Sequence, residues 1–419
     1  MAGQETDKVI VIGGGVIGIA CAHYLNQAGY AVTVLESGSL AAACSHGNCG
    51  YICPSHVLPL TTPGALREGL KSLLNPSASF RIKPRLEPAF IRWLWQFSRR
   101  CSARQMLETA KHLNAILESS AAEYRRLLTG EIDGAEYRQS GLLYVFGTAE
   151  AAEVFSANER AVSARHGVRS DWIEGADLRD FDGALKPDLA GGVLFPDDAS
   201  LRPDQLTAQW AALLKGRGVT FREGVRFENV ERSGRMISAI KTSAGAMQAD
   251  HYVLAAGAIS GRLAGYFGRA MPIEPGKGYS ITLDRPKQTP RVPMLFPEHH
   301  VGITPFDSGF RIGSMMEFAG FDSAIPQRRL QQLRRSVAHY LVDDLPKNNI
   351  EEWYGWRPMT WDSLPIIGAM PDTDNVCLAT GHNMLGMTLA PATGKLVAEH
   401  IQGQIAHIDP TPFSPARFN

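Results

Sequence analysis

The chain has only six cysteines in 419 residues, no net charge, and no apolar run long enough to span a bilayer. Each shortage removes a class of function. Thiols as sparse as Cys21, Cys44, Cys49, Cys53, Cys101 and Cys377 do not make a disulfide framework, and reduced thiols fit a cytosolic home. Cys44, Cys49 and Cys53 lie close together, but they form no C-x-x-C pair or other usual zinc spacing, so no metal site is expected. Lysine plus arginine number 42 against 42 acids, which leaves no global field to recruit nucleic acid. Partners belong to local sites. The polar start "MAGQETDK" runs straight into "VIVIGGG" without the basic and apolar regions of a signal peptide, giving the expectation of a cytoplasmic protein. Internal repeats and low-complexity segments are also missing.

What is present begins at residue 8. "KVIVIGGGVIGIACAHYLNQAGYAVTVLE" predicts a strand over Lys8 to Ile12, a helix from Val16 to Ala28 stopped by Gly29, and a second strand from Ala31 to Leu35. Gly13, Gly15 and Gly18 keep G-x-G-x-x-G spacing at the first joint, where the backbone can approach a pyrophosphate and the amides of Val16 and Ile17 face its charge. Glu36, followed by Ser37, ends the second strand where an acid accepts hydrogen bonds from a ribose; its charge disfavours a 2′-phosphate. The motif alone does not separate FAD from NAD. The small-residue run "SGSLAAACSHGNCGYICPSH" favours FAD, because small side chains and free amides can lie against a large flat ring system.

Two further fragments read as parts of the same unit. In residues 218 to 260, strands and tight turns lead to a buried strand, Tyr252 to Ala255, which ends in Ala256-Gly257. Near the C-terminus, a strand from Val376 to Ala379 precedes a polar glycine loop with Gly381 and His382, then a helix from about Thr388 to Gln402. That helix is expected to bury Leu389, Leu396, Val397 and Ile401 and to leave Lys395 and Glu399 to solvent. Its start, Gly386, Met387 and Thr388, offers amides that can stabilise negative charge on a reduced flavin. The expected fold is α/β: a Rossmann-like FAD-binding domain (1–53, 191–270 and 351–419) interwoven with an α+β substrate domain (54–190 and 271–350) that carries a mostly antiparallel sheet. Helices are expected at 88–102, 111–128 and 326–341.

The stretch "GWRPMTWDSLPIIG" sets a lone arginine, Arg357, before Pro358 in apolar surroundings. Proline biases its predecessor toward extended backbone, and a buried arginine there needs an anion. Asp362 is the one acid in the stretch; a substrate carboxylate is the alternative.

Together with "SHGNCG", "VLAAGA" and "TGHNMLGMTLAPATGKLVAEHI", these motifs resemble the flavin-dependent amine and D-amino-acid oxidoreductases, a group that includes glycine oxidase, sarcosine oxidase and bacterial D-amino-acid dehydrogenase. The resemblance covers nearly the whole chain. It implies bound FAD, hydride transfer from the substrate α-carbon to flavin N5, an imine or 2-oxo acid product, and an arginine in the "RP" segment that grips the substrate carboxylate. Ser45, Asn48 and Gly50 match the S-x-x-N-x-G loop of the dehydrogenases, and Phe227 falls where relatives bring a strand backbone against the adenine. His46 is offset from the position that links flavin covalently in some relatives, so a noncovalent flavin is expected. Tyr279 matches a tyrosine that donates to the substrate carboxylate in some relatives, with a half-buried strand residue as the alternative. His382 is a candidate to sit beside the flavin or to help deprotonate an ammonium, with a structural histidine as the alternative, and Tyr51 is a candidate pocket wall.

The substrate implied is a D-amino acid, including cyclic ones such as D-proline or hydroxy-D-proline, with a quinone or other non-oxygen acceptor. The alternatives are an oxygen-dependent glycine or sarcosine type of oxidase and a flavin-binding subunit of a larger complex. Residues 81 to 104 set Arg81, Lys83, Arg85, Arg92, Arg99, Arg100 and Arg104 among Trp93, Trp95 and Phe97. That composition suits either peripheral contact with the inner face of a membrane or a packed layer whose arginines snorkel outward.

Overall fold

The computed structural model describes residues 6–74 and 78–418; the first five residues of the polar start lie outside them. Lys8–Ile12 and Ala31–Leu35 are strands and Val16–Gln27 is the helix between them, as their apolar periods require. They belong to a six-stranded sheet in the order Ile366–Ala369, Val376–Thr380, His251–Leu254, Lys8–Ile12, Ala31–Leu35, Thr220–Arg222. Neighbours are parallel except the first pair. A three-stranded antiparallel sheet (Phe227–Ser233, Met236–Thr242, Gly245–Met247) stands beside it.

Nine strands form the other large sheet, in which most pairs are antiparallel. Its central order runs Glu351–Thr360, Ile273–Leu283, Gly309–Phe318, Val301–Phe306, Met294–Phe296, then Leu142–Phe146 and Gly191–Phe195. This pairing joins segments that the sequence divides between the two expected domains: Gly191–Phe195 pairs with Leu142–Phe146 and Glu351–Thr360 with Ile273–Leu283. Cross-strand partners decide the sheet a strand joins, and those partners are remote in sequence.

Expected helices appear as Pro88–Arg100, Ala103–Gly130 and Gln327–Ala338. The C-terminal helix, Gly386–Ile401, starts at Gly386 and is buried on nearly every side. Glu399 is therefore buried and Lys395 only partly exposed. Lys395 bonds Glu123 of Ala103–Gly130 at 2.8 Å, and Glu399 lies 2.8 Å from His407 Nδ1. The long helix covers the face that amphipathicity alone assigned to water.

Candidate active site

The nucleotide end is shaped by close approach. Gly13 has φ +116°, and a side chain there would strike the Ala255 carbonyl where the strand His251–Leu254 ends beside Ala256 and Gly257. A side chain at Gly18 would strike the Gly13 carbonyl, so helix and strand pack backbone to backbone. Glu36 accepts from the Gly14 and Gly38 amides, each at 2.9 Å, and from Ser37 Oγ at 3.1 Å. At the helix start the Val16 amide, beside Ile17, donates to Ser45 Oγ at 3.0 Å, and a Cβ on Gly15 would lie 3.4 Å from that oxygen. These residues fit FAD: side-chain-free backbone and helix amides suit a pyrophosphate, and a partly exposed carboxylate suits a ribose. Phe227 is buried, its ring stacked 5.4 Å from Phe267, at the start of the neighbouring small sheet. Gly381 has φ +71° and packs on Thr360 and Ile366.

The loop at residues 46–51 lies on the large sheet. Four consecutive carbonyls are held by side chains from three strands. Arg311 donates to His46 O at 3.0 Å and Asn48 O at 2.9 Å, Ser280 to Gly47 O at 2.8 Å, and Thr304 to Cys49 O at 2.6 Å. Glycines let the loop come that close: a side chain at Gly302 would meet the Tyr51 hydroxyl, and one at Gly313 the Cys49 sulfur at 2.8 Å. Asn48 Oδ1 caps the Gly50 amide at 2.7 Å. His46 Nε2 is 2.5 Å from Glu351, which holds the imidazole pKa above its ordinary value, and the same bond keeps the carboxyl low. Tyr51 does not line an open wall. Its hydroxyl lies 3.1 and 3.0 Å from the Met294 and Ile303 carbonyls, and its own carbonyl accepts from Thr388 Oγ1 at 3.0 Å. Thr388 Oγ1 also accepts from the Cys53 amide at 3.3 Å, which ties the loop to the first turn of the C-terminal helix, Gly386, Met387 and Thr388.

Arg357 stands on the same sheet face. Its strand pairs with Ile273–Leu283, placing Gly276 opposite Arg357 and Gly278 opposite Gly355. A side chain at Gly278 would collide with the guanidinium, so glycine is what lets that group lie flat on the strand. Arg357 donates to Met315 O at 2.7 Å and, more weakly, to Met316 Sδ at 3.9 Å. That carbonyl belongs to a bulged segment in which Ser314 (φ +116°) and Met315 (φ +58°) both take positive φ without being glycine. Strain of roughly 1–3 kcal/mol per residue persists only where the surroundings impose it. Burial lowers the Arg357 pKa, and no carboxylate among the described residues pairs with it. Asp362 is not its partner, being committed to Arg417 at 2.7 Å. The Trp353 indole lies over Gly355 and reaches Gly47, and its buried N–H has no protein partner among the described residues.

Two expected roles are corrected here. Tyr279 follows Gly278, and adjacent strand residues face opposite ways, so its hydroxyl points away from Arg357 and bonds Glu317 at 2.7 Å. His382 is 2 % exposed, its Nε2 2.9 Å from Thr393 Oγ1, and burial pushes its pKa down to about 3. It is a neutral structural histidine and no base near neutral pH. Arg311, Ser280, Thr304 and Trp353 are site residues missed in the sequence. A charged residue inside the apolar strand "GFRIGSMMEF" was the signal for Arg311.

The chain is similar to known proteins over nearly its whole length. A family model described as FAD dependent oxidoreductase matches residues 8–400. A D-amino acid dehydrogenase from Granulibacter bethesdensis is 31% identical over 98% of this chain and 99% of its own. One from Paramagnetospirillum magneticum is 34% identical over 95% of each. Among solved structures, glycine oxidase from Geobacillus kaustophilus superposes with a TM-score of 0.75 at 21% identity, covering 98% of this chain and 99% of that one, which shows the shared fold.

Proposed function

The chain belongs to the family of FAD-dependent oxidoreductases, and from that premise we propose that it is a D-amino-acid dehydrogenase whose Arg357 binds the substrate carboxylate. The observation that carries the reading is a half-buried cation on a glycine-floored sheet face with a carbonyl to orient it and no acid among the described residues to neutralise it. A planar guanidinium takes a carboxylate through two parallel hydrogen bonds, which fixes the substrate in rotation as well as position. Gly13, Gly15, Gly18, Glu36 and Ser45 hold the nucleotide end of the cofactor, and residues 46–51 and the turn Gly386–Thr388 hold the ring end. FAD, when bound, supplies the acceptor for the α-hydrogen, which leaves the substrate as hydride. The chain's own contribution is orientation. Hydride departure requires a neutral amine, and neither Tyr279, bonded to Glu317, nor His382, bonded to Thr393, is assigned the proton; the substrate then leaves as an imine that water converts to a 2-oxo acid and ammonia.

The acceptor proposed is a quinone, reached at a membrane surface. On the helix Pro88–Arg100 and its approach, Leu86, Ile91 and Trp95 are 96%, 52% and 53% exposed, with Lys83, Arg92 and Arg99 exposed among them. Arg99 lies over the Trp95 ring at 4.7 Å. Trp93 and Phe97 instead stack inward at 5.4 Å, and Arg81 and Arg85 pair with Glu317 and Glu274, so the membrane-facing set is smaller than composition suggested. No helix among the described residues is long and apolar enough to cross a membrane. The test is turnover of D-amino acids with a soluble quinone analogue against turnover in air: faster quinone reduction with little peroxide supports the dehydrogenase, and stoichiometric peroxide makes the protein an oxidase.

A further inference from the structure

The helix Gly386–Ile401 contains Pro391. Proline has no N–H, so the carbonyl four residues earlier, that of Met387, loses its helical donor, and the ring crowds the same oxygen. A buried carbonyl in that position needs another partner. Tyr124 supplies it from the long helix Ala103–Gly130, donating its hydroxyl to Met387 O at 2.6 Å. One turn earlier, Ser120 donates to Thr388 O at 2.6 Å and accepts from the Ala392 amide at 3.5 Å. Four residues apart, Ser120 and Tyr124 share one helix face, and both are buried. The hydroxyl of Thr388, from the same turn they hold, is fastened to Tyr51 and Cys53 of the loop.

We propose that Tyr124 and Ser120 are positioning residues: Tyr124 replaces the hydrogen bond that Pro391 deletes, Ser120 holds the next carbonyl, and together they fix the turn Gly386–Thr388 in the orientation that presents its amides to the flavin. The functional half rests on the reading of that turn as part of the flavin site. The structural half does not. If the brace compensates for Pro391, it becomes redundant once residue 391 carries an N–H.

The experiment is a double-mutant cycle on the FAD-loaded protein with Tyr124→Phe, Pro391→Ala and the two combined, read by Tm and by the flavin midpoint potential from dye equilibration. Tyr124→Phe is expected to lower Tm and to shift the potential negative, because a misaligned helix start stabilises the reduced, more negative ring less well. Both effects are expected to shrink in the Pro391→Ala background. Additive changes in Tm overturn the brace. Coupled Tm with an unmoved potential overturns the positioning role. If Tyr124→Phe fails to fold, recovery in the double variant supports the brace, and failure of both overturns it. A protein that binds FAD yet is reduced by no amino acid would defeat the proposed activity while leaving this cycle readable.

Discussion

Replacing Arg357 with leucine deletes the cation proposed to bind the substrate carboxylate while leaving the Gly14–Glu36 and Val16–Ser45 bonds of the nucleotide end in place. Arg357→Leu is therefore expected to keep its flavin and to lose about 2–5 kcal/mol of substrate affinity, the cost of truncating one side of a buried charge pair. Flavin content together with KM for a D-amino acid checks this; an unchanged KM removes Arg357 from the site. This residue was legible in sequence because Pro358 constrains its backbone and few apolar stretches carry a bare arginine. Tyr279 and His382 were not. Whether Tyr279 shares a face with Arg357 depends on strand phase, which one residue reverses, and the role of His382 depends on burial that no local pattern displays.

Among the elements, the loop around residues 46–49 is fastened by Arg311, Ser280, Thr304 and the His46–Glu351 pair, and the last of these makes the fastening depend on pH. The His46 pKa is raised above its ordinary 6.5, so its stabilisation is complete below 6.5 and is lost as pH rises through the raised value. The Glu351 pKa is lowered from 4.5, so its share is present above 4.5 and is lost as pH falls through the lowered value. The pair holds best between those limits. His46→Gln is expected to flatten the decline of Tm above pH 6.5, measured on the FAD-loaded protein; an unaltered slope would take the pair out of the account. The strand–glycine loop–helix unit was legible because its periods are local, whereas the clamp was not, since Ser280, Thr304 and Arg311 lie more than 230 residues from the carbonyls they hold. The C-terminal helix failed on its solvent face for the same reason: a remote helix covers it.

For the whole molecule, zero net charge means that any attraction to a surface must be local, and Lys83, Arg92 and Arg99 beside Leu86, Ile91 and Trp95 are the set proposed to provide it. Binding to vesicles of anionic lipid is expected to weaken with salt and to disappear when Arg92 and Arg99 become glutamine; no binding at low salt refutes the membrane contact. The division into a nucleotide sheet and a substrate sheet could be read from where the glycine and small-residue motifs fall, but the crossing points could not, because Gly191–Phe195 and Glu351–Thr360 join partners far along the chain. Everything proposed converges on one reaction at Arg357. The most direct measurement mixes the FAD-loaded protein, without oxygen, with paired D- and L-amino acids and follows the flavin's visible absorption. Loss of that absorption with D-amino acids, much faster than with their L-enantiomers and abolished by Arg357→Leu at the same concentrations, is the predicted result; bleaching by the L-enantiomers instead, or bleaching that ignores Arg357, would contradict it.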